Sequence, residues 1–169
     1  MRAAVAALVA LLLACPAAAQ TLKVTGLDGA SKTLAAADVA ALPRTSATLT
    51  EDGEPHAYEG VMLSDVLRAG GLPMGQRLHG DPLKAYLVVT GADGFQAVYS
   101  LAEVDRDFHG DTVILADKVD GAPLPAKQAP WRIVSSGDRK GWRAVYAVAS
   151  IEARSILKGP PAAAMDHAH

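Results

Sequence analysis

Residues 112–153 read TVILADKVDGAPLPAKQAPWRIVSSGDRKGWRAVYAVASIEA, and this stretch decides the architecture. Thr112 to Asp117 is nearly all apolar, the pattern of a strand covered on both faces. Asp120-Gly121 turns the chain into Ala122-Pro123-Leu124-Pro125, and Trp131 to Ser135 and Val145 to Ile151 supply two further strands. Over residues 127–143, Lys127, Arg132, Arg139, Lys140 and Arg143 stand against Asp138 alone, a net charge of +4, interleaved with Trp131, Trp142, Gly137 and Gly141. Guanidinium forks, glycine amides and aromatic faces together are the groups that hold a planar, phosphorylated ligand. Residues 103–120 carry the opposite charge, with Glu103, Asp105, Asp107, Asp111, Asp117 and Asp120 against Arg106 and Lys118, net −4. The two segments also suit a solvated hairpin loop whose cations contact an acidic stretch.

Upstream, Thr21 to Leu27 alternates as a strand and ends at Asp28-Gly29, and the alanine-rich Ser31–Leu42, stopped by Pro43, reads as a short helix. Thr45 to Val61 is a β-hairpin turning at Asp52-Gly53. Ser64 is placed to cap a helix over Asp65–Ala69 that Gly70-Gly71 ends. Lys84–Thr90 and Phe95–Leu101 are two more strands. Short strands therefore dominate, with one or two small helices.

The chain has 169 residues, 16 Lys and Arg against 18 Asp and Glu, and half its residues are apolar. One domain is expected, and a net charge of −2 gives no electrostatic footprint for nucleic acid. MRAAVAALVALLLACPAAAQ at the N-terminus, with Arg2, an apolar run and the small-residue site Ala17-Ala18-Ala19, reads as a secretory signal peptide over residues 1–19, cleaved after Ala19. A periplasmic or secreted location follows, with residues 20–157 as one module and 158–169 as an aperiodic tail. The alternative is a lipoprotein signal acylated at Cys15, the one way this chain would be held at a membrane. Cys15 is the single cysteine, so a cleaved chain has no thiol for a disulfide, a nucleophile or a metal ligand.

Other constellations carry less. Asp105, Asp107, Gly110 and Asp111 have partial calcium-loop spacing, but Ala116 stands where the bidentate Glu belongs. His167 and His169 with Asp166 form a chelating pair without a scaffold. His56 and His79 are isolated, and Ser135-Ser136-Gly137 lacks nucleophile-elbow spacing. No GxGxxG or Walker A sequence is present.

By order and spacing, residues 112–153 resemble the molybdopterin-binding domain of the sulfite oxidase family. The matching parts are Ile114-Leu115-Ala116 at a strand end, Asp120 to Pro125 for an "NGxPLP" turn and Ala129-Pro130-Trp131-Arg132 for "GxPxR". Arg139 to Arg143 then stands for a basic loop, and Val148 to Glu152 for the last strand. Tyr58 to Leu67 is similar to the family's "(F/W)xGVPLxxLL" segment and Ala92-Asp93-Gly94-Phe95 to its "DGY" strand. The resemblance implies an α+β, mostly β fold with a few short helices, and molybdopterin as the ligand, its phosphate held by the basic segment. Lys127, Arg132, Arg139, Lys140 and Arg143 are the candidate cofactor-binding residues. The family's molybdenum-ligating cysteine, upstream of the segment matching Tyr58–Leu67, has no counterpart, so ligation by Cys is not possible in a cleaved chain. Ala144 and Tyr146 stand where the family often has His and a cation. The leading expectation is a ligand-binding module for an anionic small molecule or pterin. A molybdopterin-dependent oxidoreductase or its accessory subunit comes second, and a cofactor-free protein-interaction module anchored by exposed Trp131 and Trp142 third. Arg139 and Arg143 are expected to be exposed, so that losing both spares the melting temperature.

Overall fold

The computed structural model describes residues 20–156. The leader over residues 1–19 with Cys15, and the tail from Lys158 with His167 and His169, lie outside the described residues. In chain order the elements are β1 (Thr21–Thr25), β2 (Ser31–Ala35), α1 (Ala36–Ala40), β3 (Arg44–Glu51), β4 (Glu54–Met62) and α2 (Leu63–Ala69). They continue with β5 (Ala85–Gly91), β6 (Gln96–Ser100), β7 (Val113–Val119), β8 (Ala122–Pro123), β9 (Arg132–Ser135) and β10 (Val148–Ser155). Three single 3-10 turns, at Gly75–Arg77, Asp81–Lys84 and Gly141–Arg143, complete the set.

Two Asp-Gly pairs set the registers. At Asp52-Gly53 and at Asp120-Gly121 both residues have positive φ, the two-residue hairpin turn whose twist matches its strands. The first turn pairs Glu51 with Glu54 and runs β3 against β4 as far as Arg44 opposite Val61, and the second pairs Val119 with Ala122. One sheet is ordered β2-β1-β10-β5-β6, antiparallel except where β1 runs parallel to β10. The other is β3-β4-β7, with β8 and β9 both pairing the far side of β7 at different heights.

β7 shows why a continuous apolar run was needed. Val113 and Leu115 point into the main core with Leu22, Leu67, Leu87, Ile133 and Ile151, while Ile114 and Ala116 face a smaller cluster with Leu49, Tyr58, Met62 and Leu124. Each fully buried Leu or Ile contributes about 1.5–3 kcal/mol. Gly60 lets β4 approach β7 closely, since a Cβ there would lie 2.1 Å from the Leu115 carbonyl oxygen.

Two local expectations are corrected. Ser31–Leu42 is not one helix, because residues 31–35 pair with β1 and bury Leu34 opposite Leu22, and only Ala36–Ala40 turns helical. Strand pairing over a buried leucine outweighs the small helical bias of alanine. Ser64 is buried inside α2, which starts one residue earlier behind Met62, so it caps nothing.

At the tip of the β4–β7 pairing, Asp120 accepts the Ala57 N–H at 2.9 Å and contacts His56 Nδ1 at 2.7 Å. The hydrogen bond between the two side chains raises the His56 pKa and lowers that of Asp120. A raised His value stabilises the fold below the unfolded pKa and fades as pH rises through the folded one. A lowered Asp value acts above its unfolded pKa and fades as pH falls. The melting-temperature difference between the native chain and His56→Ala should therefore peak between about pH 4 and 6.5 and shrink in thermal scans on either side. Gly60→Ala should cost about 3 kcal/mol in urea unfolding, because backbone rather than a flexible side chain must give way.

Candidate functional site

The 127–148 segment is built around one buried cation. Arg132 lies at the start of β9 with its side chain 0% exposed, although it stands among residues read as a solvated basic loop. Its Nη2 donates to Glu51 Oε1 at 2.6 Å, and its Nη1 donates to the Tyr58 hydroxyl at 2.5 Å and to Gln128 Oε1 at 3.2 Å. The guanidinium also lies over the Tyr58 and Tyr146 rings, each 4.7 Å from its carbon. Tyr58 in turn donates to Glu51 Oε2 at 2.5 Å. The Nε–H is buried without an acceptor, a cost that the two ring faces reduce.

This cluster ties together the β3–β4 hairpin, β9 and the chain that leads into β10. Burial opposes ionisation of Glu51, but the bonds from Arg132 and Tyr58 outweigh it and hold the carboxyl below its ordinary range. Burial, reinforced by the bond to Glu51, pushes the Tyr58 hydroxyl far above its usual value, so it stays protonated as a donor. Gly141 fits against the pair only because it lacks a side chain: a Cβ would lie 2.4 Å from Glu51 Oε1 and 3.3 Å from Arg132 Nη2. Ala147 adopts φ 46°, pinned by bonds from its N–H to the Gln128 carbonyl and from the Ala92 N–H to its own. That kink separates Tyr146, stacked on Arg132, from Val148 in the core.

Above the cluster opens a hollow of about 560 Å3, lined by Thr50, Glu51, Asp52 and Gly53 of the hairpin tip on one side and Arg139 to Trp142 with Tyr146 on the other. Trp142 and Tyr146 also border a second hollow of about 320 Å3 that holds Phe95, Asp93 and Lys127. Three of the five candidate cations thus gather around Trp142: Arg139 and Lys140 in the first hollow, Lys127 in the second. Lys140 Nζ sits 4.2 Å above the Trp142 ring. Arg132 is buried behind Glu51 and Tyr146 and lines neither hollow.

Arg143 turns away. Its guanidinium donates to Asp138 from both Nε and Nη2 and to Glu103 at 2.5 Å, and it stacks 4.5 Å over Tyr99. Asp138, then Glu103, raise its pKa further above the ordinary arginine range. Within the described residues, Glu103–Arg143 is the one salt bridge joining the acidic 103–120 stretch to the basic segment, since Asp117 pairs with Arg44 and Asp120 with His56. Asp105, the first carboxylate of the partial calcium-loop spacing, is buried and accepts the Gly75 and Asp107 N–H groups.

Trp131 is 4% exposed in the main core, so the pairing of two tryptophans as surface anchors is corrected, whereas Trp142 is 79% exposed. Glu51 and Asp52 are not marked as site residues by the sequence, whereas Gly141 is. The Asp52-Gly53 hairpin tip was legible, but which side chains it would bring opposite residues 139–142 depends on the pairing of β4 with β7 and β7 with β9.

The donors of this site do not suit a protein-ligated molybdenum. The described residues contain no thiol, and the hollow offers the hard carboxylate oxygens of Glu51 and Asp52, the first of them already bonded to Arg132. Arg139 and Lys140 do suit an anionic group. Urea denaturation should rank three substitutions: Glu51→Ala costs about 3 kcal/mol by stranding a buried guanidinium, Arg143→Ala about 1–2, and Arg139→Ala under about 0.5.

The match to the family model described as the oxidoreductase molybdopterin binding domain covers residues 54–156. The crystal structure of the sulfane dehydrogenase SoxCD from Paracoccus pantotrophus is similar at a TM-score of 0.63 and 20% identity, over 82% of this chain. This chain spans 39% of the SoxCD chain it matches. No curated protein matches the sequence. From the β3–β4 turn through β10, in a fold shared with SoxCD, the chain belongs to the oxidoreductase molybdopterin-binding domain family.

Proposed function

We propose that the chain is an exported binding module of this family that takes an anionic small molecule in the hollow beside Arg139 and Lys140, without a protein-ligated molybdenum. The observation that carries this reading is the division of labour among the cations. Arg132 and Arg143 are consumed by Glu51, Asp138 and Glu103, while Arg139 and Lys140 line an open hollow with no salt-bridge partner among the described residues. Tyr146 and Trp142 add flat faces beside them, so a ring carrying a phosphate, a pterin phosphate included, has both of the contacts it needs. Export rests on the reading of residues 1–19. An accessory role in a larger oxidoreductase is the second reading, favoured by the exposed Trp142 and Phe95 at the adjoining hollow.

The test is metal analysis together with calorimetry on protein purified from the periplasm of a molybdenum-replete host. Molybdenum well below one atom per chain is expected, with saturable binding of inorganic phosphate at low ionic strength. Arg139→Ala with Lys140→Ala should weaken that binding by about tenfold or more at an unchanged melting temperature. One molybdenum per chain, or phosphate binding indifferent to both substitutions, would overturn the reading.

A further inference from the structure

The hollow has two walls of opposite charge that do not meet. Arg139 and Lys140 stand on one side, and Asp52 and Glu51 on the other. Several opposite charges elsewhere on the surface do close on each other: Arg44 with Asp117, Arg68 with Asp65, Lys84 with Asp81 and Arg154 with Glu152. Here they stay apart, and each has a reason. Asp52 sits at the tip of a two-residue turn with φ 53°, followed by Gly53 at φ 90°, so its backbone direction is set by the hairpin. Glu51 is held by Arg132 and Tyr58, one bond to each carboxylate oxygen, and cannot swing across. Lys140 is drawn over the Trp142 ring. Arg139 and Asp52 line the same space, and neither has an ion-pair partner among the described residues.

A hollow of about 560 Å3 falls in the size range of small-molecule sites. Its rim carries two cations and two carboxylates, so its formal charge is zero before the buried Arg132 is considered. A simple anion gains the Arg139 and Lys140 wall but faces Asp52, and a simple amine meets the reverse. A molecule with an ammonium at one end and a phosphate or carboxylate at the other satisfies both walls at once, with the Tyr146 face beneath its middle.

We propose that this site is selective for a small zwitterion, its anionic end on Arg139 and Lys140 and its ammonium on Asp52. The inference rests on the hollow being an anion site and adds the second pole. Asp52 is the residue that sets the preference, because it is the carboxylate of the pair with no protein partner.

Calorimetry at low ionic strength with three probes tests it: O-phosphoethanolamine, inorganic phosphate and ethanolamine. Phosphoethanolamine should bind roughly tenfold more tightly than phosphate, the margin of one added charge-assisted contact, and ethanolamine should give no measurable heat. Asp52→Asn should bring phosphoethanolamine to within about twofold of phosphate without weakening phosphate itself, since the cationic wall is untouched. Asparagine tolerates the positive φ at this turn, which keeps the hairpin intact. Arg139→Ala should weaken both phosphates. Equal affinity for phosphate and phosphoethanolamine in the native chain, or a preference that survives Asp52→Asn, would overturn the zwitterion assignment while leaving the anion site standing. Absence of binding by either phosphate would remove the anion site, and the zwitterion with it.

Discussion

A guanidinium taken wholly out of water needs partners, and those of Arg132 come from distant parts of this chain. Its ion pair reaches back to Glu51 at the end of β3, its hydrogen bond to Tyr58 in β4, and its second stacking face to Tyr146 ahead of β10. Three segments distant in sequence are therefore fixed in one place by a single side chain. Burying a charge in this way adds little net stability over an apolar core of the same volume, but breaking one partner leaves a stranded ion. The arrangement is thus a constraint on geometry more than a reservoir of energy, and what it positions is Glu51 and Tyr146 in the lining of the hollow.

The hairpins could be read from the sequence because their signals are local. Asp-Gly pairs with alternating flanks specify both the turn and the register, and the apolar run of β7 announces a strand with two covered faces. Ser31–Leu42 departs from its sequence pattern for the opposite reason: alanine content favours a helix weakly, and the deciding contact, Leu34 against Leu22, depends on a neighbouring strand. Charge counting marks residues 127–143 but cannot sort the cations within them. Arg132, Arg143 and Arg139 are the same residue type within twelve positions, and their different roles depend on whether Glu51, Glu103 or solvent faces them in the folded chain. The two tryptophans divide in the same way, Trp131 into the core and Trp142 to the surface.

Membership in the molybdopterin-binding family and the donor set of this chain point in different directions. The fold is kept from β4 to β10, yet no thiol lies among the described residues, and two arginines of the basic segment are neutralised from within by Glu51, Asp138 and Glu103. A fold that hosts one chemistry can be retained for another, because the packing that makes the scaffold and the groups that make the site are separable. Here β7, β9 and β10 pack into the core while the hollow beside them has a mixed charge.

The parallel pairing of β1 with β10 has a consequence for how the chain reaches its native state. The last strand of the described residues lies in the middle of the first sheet, between the first strand and β5. A ribosome-bound or truncated chain ending before Val148 would leave two inner strands with bare ladders, so this sheet cannot be completed piecemeal from the N-terminus. Folding should consequently be concerted and, with so many distant pairings to close, fall toward the slow end of the microsecond-to-second range of small domains.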